Sequence, residues 1–220
     1  MAFLISALLI FLGYLLGSIP TGYLTAFYLE GIDIREHGSG STGATNILRT
    51  VGKRAAIFVL MGDLGKAMLA VSAVKLWFLL PFADLLPLEW KSWLVVLAAI
   101  AAIFGHSKSI FLNFTGGKSV ASSLGVLLVL NPIVALGTLG SFLVMLALSR
   151  IVSLSSITGV IAVNILMFGL NQPLPYCLFG VTAGVYVTFR HRTNIMRIFA
   201  GTEPRICLLY TSDAADETER

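Results

Sequence analysis

The sequence predicts an all-α, polytopic membrane protein of about seven transmembrane helices, with the N-terminus outside and the C-terminus cytoplasmic. Three observations carry this prediction. The 220-residue chain is 57% hydrophobic but only 12% charged, with a mean hydropathy of +0.90. A soluble domain carries about 25% charged residues, so this chain lacks the polar side chains to clothe a water-facing globule. Long apolar stretches recur from end to end. Lysine and arginine are confined almost entirely to alternate loops.

Because a bilayer core needs roughly 20 apolar residues per helix, seven stretches are candidates, near 3–28, 55–80, 92–107, 119–131, 133–149, 155–170 and 174–189. Met1 leads into the first without a basic region or a small-residue cleavage site, so it reads as a transmembrane helix and not a removed signal peptide. Gly17, Pro20 and Gly22 fall late in it, where neighbouring helices can satisfy freed backbone groups. Pro81, Asn131-Pro132 and Gln172-Pro173 mark turns. With the N-terminus outside, one side holds Arg35, Arg49, Lys53, Arg54, Lys108, Lys118, Arg150, Arg190, Arg192, Arg197 and Arg205, and the other only Lys91. That asymmetry sets the orientation. No polar linker divides the chain, so residues 1–206 are expected to form one membrane domain. Residues 207–220, from Cys207 to Arg220, are polar and acidic. They resemble translated sequencing-adapter read-through and are expected to lie outside the fold.

Composition also excludes. The net charge of +4 is scattered over several loops without an aromatic-basic patch, so no nucleic acid is expected as a partner. Cys177 and Cys207 have no disulfide or zinc spacing. No metal-ligand cluster and no Gly-x-Ser-x-Gly elbow occurs. None of His37, His106 and His191 has an aspartate five positions on, the pairing many glycerolipid acyltransferases use; those positions are Thr42, Phe111 and Met196.

Four polar clusters fall on the basic side. Gly38 to Asn46, followed by Arg49, offers backbone N–H groups, the hydroxyls of Ser39 and Thr45, and the Asn46 amide to an anion. It is not a Walker loop, and alone it also reads as a flexible turn. Gly116-Gly117-Lys118-Ser119 opens the fourth span, where a helix N-terminus and a lysine make an anion trap; alone, Lys118 reads equally as a positive flank. Ser153 to Ser156 includes Ser156, although serines entering a helix are most often caps. His191 to Arg197, with Gly201 and Glu203, reads as an anchor or a binding segment, since His191 and Asn194 would share a helix face. Asp63 and Lys66 lie three apart within the second span. Ionisable groups there are costly, so they read as an internal pair or as support behind a site. His106 reads as fixing a loop. Glu30, Asp33 and Glu36 look like a solvated loop face.

In these residues the sequence resembles the bacterial acyl-phosphate-dependent glycerol-3-phosphate acyltransferase family. The matching pieces are Gly17-Ser18-Ile19-Pro20, the Gly38–Asn46 loop with Arg49, Asp63 with Lys66, Gly105-His106, Gly116-Gly117-Lys118, Ser153 to Ser156, and His191-Arg192 through Asn194-Ile195 with Gly201 and Glu203. Each is weak alone; in this order, between seven apolar spans, they are specific. The family often has Asn-Pro where this chain has Ser41-Thr42. It usually has Gly-Lys-Gly where this chain has Gly117-Lys118-Ser119, and a hydroxymethyl there is expected to narrow the approach to the backbone.

The resemblance implies transfer of a fatty acyl group from acyl phosphate to the 1-hydroxyl of glycerol 3-phosphate, giving lysophosphatidic acid and phosphate, at the bacterial plasma (inner) membrane. It implies no cofactor, with membrane lipids as the surroundings and the active site facing the cytoplasm. Carried over by position, Ser39, Lys118 and Ser156 would be catalytic. Thr45, Asn46, Arg49, Gly116, Gly117, His191 and Asn194 would bind substrate. Either the acceptor's own phosphate or His191 would take the proton. The alternatives are a small transporter or channel for an anionic solute, or a structural subunit. Against transport, the ionisable residues gather at one face and no inverted repeat is visible.

Overall fold

The computed structural model describes residues 1–206; the acidic stretch after them, Cys207 included, lies outside the described residues. The described chain is all-α. Its helices are α1 (Ala2–Ser18), α2 (Thr21–Glu30), α3 (Ala44–Thr50), α4 (Lys53–Trp77), α5 (Lys91–Ser107), α6 (Val120–Leu130), α7 (Pro132–Ser149), α8 (Val152–Gly169), α9 (Leu174–Arg190) and α10 (Arg192–Phe199). Each of the seven apolar stretches is helical, and the boundaries fall close to the hydropathy pattern. Five segments are long and apolar enough to cross a membrane: 2–30, 53–77, 88–107, 132–149 and 152–169. The exceptions are α9, with 17 residues, and α6, with 11. At 1.5 Å per residue, α6 is only about 17 Å long, roughly half the core of a bilayer.

The first stretch differs from the single long helix expected. It breaks between Ser18 and Thr21, because Pro20 has no N–H to continue the ladder. The carbonyls at the break find side-chain partners. Ser109 Oγ donates to the Ser18 carbonyl at 2.6 Å, and Lys66 Nζ donates to the Ile19 carbonyl at 2.7 Å. The break therefore ties the first span to both α4 and the loop after α5. At the far end of α4 from this break, Lys75 donates to the Val129 carbonyl in the last turn of α6, partnering one of that helix's orphan acceptors. Asn131 caps α7 by accepting from the Ile133 and Val134 amides, while its own amide donates to Gln172 Oε1 at 2.8 Å. The two turns flagged by Asn-Pro and Gln-Pro are thus bonded to each other.

Between lipid-facing helices apolar burial gives little drive, so close van der Waals packing must hold the bundle. The α1–α5 seam shows how. Gly13 and Gly17, one turn apart, press on Ala98 and Ala102, and a Cβ on Gly17 would overlap the Ala102 backbone. The central core gathers Val71, Val95, Val126, Val134, Met167 and Phe179 from α4 to α9. A smaller core of Ala26, Ile34, Ile47 and Val59 lies under the first basic-side loop. Large apolar side chains such as Phe58, Ile133, Leu148 and Val185 point outward, an arrangement suited to lipid and not to water.

Candidate active site

The loop between α2 and α3 is built from the inside by one side chain. Asn46, buried in the first turn of α3, accepts from the Ser39 amide at 2.9 Å. Its own amide donates to the carbonyls of Ser41 (2.9 Å) and His37 (3.0 Å). All the polar atoms of Asn46 are engaged in holding this loop, so its side chain shapes the backbone and leaves Ser39 exposed at the tip. Asp33, expected to be a solvated loop residue, accepts a bidentate pair from Arg35 at 2.6–3.1 Å and caps the 3₁₀ turn at 34–36. Arg35 reaches on to the Leu112 carbonyl and joins this loop to the one after α5.

The second segment, Gly116 to Ser119, is pinned to the end of α5. The Gly117 amide donates to the His106 carbonyl at 3.1 Å. Ser119 adopts a left-handed conformation, φ +64°, where glycine is the undemanding residue. Its hydroxyl points into the protein, donating to the Ile103 carbonyl at 2.6 Å and lying 2.6 Å from Ser107 Oγ. The hydroxymethyl therefore does not narrow the approach to the loop: it anchors the loop from behind.

Lys118 leads to the third and fourth segments. Its ammonium donates to Asn194 Oδ1 at 2.6 Å; the Asn194 amide donates to Glu203 Oε1 at 2.5 Å; Ser153 Oγ donates to the same oxygen at 2.8 Å. Arg197 Nε holds the other carboxylate oxygen at 2.7 Å. One chain of bonds thus joins the turn before α6, α10, the 201–206 segment and α8. Ser39, Gly40, Ser41, Gly116, Lys118, Arg190, Arg192 and Thr193 line a shared cavity of about 190 Å³.

Charge in this region is lopsided. Burial pushes the Lys118 ammonium below the usual lysine range, and Arg197, Arg190 and Arg49 push it further, against the pull of Glu203. Burial alone would raise the Glu203 carboxyl, but hydrogen bonds from Asn194, Arg197 and Ser153 outweigh it and hold the carboxylate low. His191 is buried and lowered to about 4, mainly by desolvation. Its Nδ1 faces the Val187 carbonyl at 2.7 Å. A carbonyl only accepts, so Nδ1 carries the hydrogen and Nε2 keeps a lone pair. His191 is therefore a neutral hydrogen-bond acceptor at pH 7, not a cation for phosphate.

The residues singled out in the sequence divide by position. Ser39, Gly116 and Lys118 share the cavity, and Asn194 touches Lys118 directly. Arg49 is exposed on the last turn of α3 and donates to the Pro204 carbonyl at 3.4 Å. Thr45 is half-buried in the first turn of that helix. Ser156 is buried, and its hydroxyl donates to the Val152 carbonyl of its own helix at 2.9 Å; of the serine cluster, Ser153 is the residue that reaches the network.

The model of the glycerol-3-phosphate acyltransferase family matches residues 7–201. The chain belongs to that family. The acyltransferase is 82% identical over 206 residues to a glycerol-3-phosphate acyltransferase of Crocosphaera subtropica, covering 94% of this chain and 96% of the relative. It is 69% identical to that of Rippkaea orientalis, covering 97% and 99%. Two crystal structures of PlsY (YgiH), an integral membrane glycerol 3-phosphate acyltransferase, superpose with TM-scores of 0.80 at 33% identity. One is the glycerol 3-phosphate form, covering 92% of this chain and 96% of that one; the other is the lysophosphatidic acid form, covering 92% and 95%. The acyltransferase is thus an all-α, multi-pass integral membrane protein. Sequence reasoning counted Arg190 only as a basic flank, but it lines the shared cavity. Its Nη2 donates to the Gly117 carbonyl at 3.0 Å, and its Nε has no partner among the described residues. The available signal was its place one residue before His191, at the mouth of α9.

Proposed function

We propose that this acyltransferase moves a fatty acyl group from acyl phosphate to the 1-hydroxyl of glycerol 3-phosphate. The hydroxyl oxygen bonds to the acyl carbon, the bond from that carbon to the phosphate oxygen breaks, and the products are lysophosphatidic acid and inorganic phosphate. The observation that carries the reading is the convergence of Ser39, the Gly116–Lys118 turn and the Arg190–Thr193 segment on one basic cavity. The cavity is joined through Lys118 to Asn194 and Glu203. Two phosphorylated substrates need two anion sites side by side, and the surplus of Lys118, Arg49, Arg190, Arg192 and Arg197 over Glu203 suits that need.

In this reading Ser39, Gly116, Gly117 and Lys118 hold the donor phosphate and the negative charge developing on the departing oxygen. Arg49 and Asn194 hold glycerol 3-phosphate. Thr45 lies beside the donor loop, and Asn46 acts by shaping it. Ser156 supports α8 behind Ser153. Acyl phosphate is already activated, so positioning and charge stabilisation supply most of the rate. With its pKa near 4, His191 is a weak base; it suits orientation of the glycerol hydroxyl, while the acceptor's own phosphate takes the proton.

The same reading makes residues 1–206 one membrane domain with seven crossings, the N-terminus outside and the polar loops at the cytoplasmic face of the bacterial plasma membrane. The positive-inside asymmetry supports that orientation. The experiment is purified protein in detergent given glycerol 3-phosphate with acyl phosphate or acyl-CoA as donor. Phosphate release and lysophosphatidic acid from acyl phosphate alone are expected; equal transfer from acyl-CoA would overturn the donor assignment.

A further inference from the structure

Asp63, Lys66 and His106 take no part in the reaction as assigned, yet all three are buried. Asp63 Oδ1 gathers partners from three helices. Thr21 Oγ1 of α2 donates to it at 2.5 Å, Lys66 Nζ lies 2.8 Å away one turn along α4, and His106 Nδ1 of α5 packs 3.3 Å away without forming a hydrogen bond. The opposite edge of the imidazole faces the turn that carries Lys118. A Cβ on Gly117 would overlap His106 Nε2, and a Cβ on Gly116 would overlap the His106 carbonyl. The same carbonyl accepts from the Gly117 amide.

Buried ion pairs are poor stabilisers, often no better than apolar residues of the same volume, and charges at membrane depth are costly. An Asp63–Lys66 pair serving only the fold would need no imidazole. What extends its reach is the contact between His106 and the glycine turn. Carboxylate, imidazole and glycine backbone form a rod running from α4 to the base of Lys118. Gly117 leaves the rod no slack, since it meets the ring with bare backbone.

We propose that Asp63 and His106 are positioning residues for acyl transfer: the ring, wedged between Asp63 and the glycine turn, sets the height of the Gly116–Gly117 turn and so the place of the Lys118 ammonium over the cavity. The inference rests on the acyl-transfer reading above. A displacement of about 1 Å at a reacting group can cost on the order of 100-fold in rate, so a ring acting at one remove is enough to matter.

The test is a double-mutant cycle of His106→Ala and Gly117→Ala, with kcat and both KM values measured on protein purified in detergent. Asp63 keeps Thr21 and Lys66 throughout, so no charge is stranded. Gly117→Ala alone drives a methyl into the imidazole, and it should cost about tenfold or more in kcat/KM for acyl phosphate. In the His106→Ala background the space is open, and the same methyl should cost at least about fivefold less. His106→Ala alone should raise KM for acyl phosphate while KM for glycerol 3-phosphate holds. A role confined to folding would instead lower kcat with the folded fraction and leave both KM values alone. Should His106→Ala fail to purify, His106→Gln carries the same comparison of KM values. Multiplicative losses across the cycle, or unchanged KM values, overturn the inference while leaving the acyl-transfer reading intact. A wild-type protein that transfers no acyl group overturns both.

Discussion

Ser119 occupies a left-handed backbone position, and its two replacements should separate geometry from hydrogen bonding. A side chain at φ +64° costs roughly 1–2 kcal/mol relative to glycine. Against that, the hydroxyl makes one bond to the Ile103 carbonyl and shares one with Ser107, together about 2 kcal/mol. Ser119→Ala keeps the backbone strain, loses both bonds and leaves the buried Ser107 hydroxyl without that partner. It should cost about 2–3 kcal/mol. Ser119→Gly loses the same bonds but relieves the strain, so its net cost should be about 0–2 kcal/mol, below that of alanine. The assay is unfolding in mixed detergent micelles followed by the fluorescence of Trp77, Trp90 and Trp93. Glycine should lie close to wild type, with alanine well below both. Equal losses, or a smaller loss for alanine, would refute the claim that the hydroxyl compensates for the backbone here.

Three further outcomes follow from the site. Arg49→Ala should raise KM for glycerol 3-phosphate about tenfold or more, the loss of one charge-assisted contact, with much less effect on KM for acyl phosphate; equal effects would remove its assigned role. Because the Lys118 ammonium is held below the usual lysine range, transfer that needs its charge should fall with rising pH before the ordinary lysine value of about 10.4. A Lys118→Arg protein that retains turnover should lose that alkaline limb. Glu203 has a lowered carboxyl pKa, so its contribution to stability is full above the usual glutamate range and fades as pH falls through the lowered value. Glu203→Gln should unfold more easily at pH 7 by about 1–2 kcal/mol and lose less than wild type on acidification.

Much of this was legible in the residues. Seven apolar stretches became helices because a sustained apolar run leaves a bilayer-dwelling chain few other options. Pro20 advertised trouble in the first span, but the resumption of helix at Thr21 depends on Lys66 and Ser109 reaching the freed carbonyls, and no local pattern reports that. At α6 the apolar run of 119–131 was plain, and the helix fills all but its end residues, between the turn bonded to α5 and Asn131. The polar segments were found as segments, but roles within them were harder. Asn46 was read as a ligand and is consumed by its own loop, since the His37 and Ser41 carbonyls and the Ser39 amide surround it. Ser153 and Ser156 look alike in the chain, and only the approach of Glu203 distinguishes them. His106 and Asp63 lie on different helices, so their meeting is a fact of packing alone.

The most direct measurement of the central claim is acyl-phosphate turnover by Lys118→Ala, reconstituted in proteoliposomes beside wild type and matched for folded protein. If Ser39, Lys118 and Asn194 form one reaction pocket, turnover should fall by about 100- to 1,000-fold, the usual cost of removing a charge-stabilising donor. Near-wild-type rates from a properly inserted variant would contradict the account.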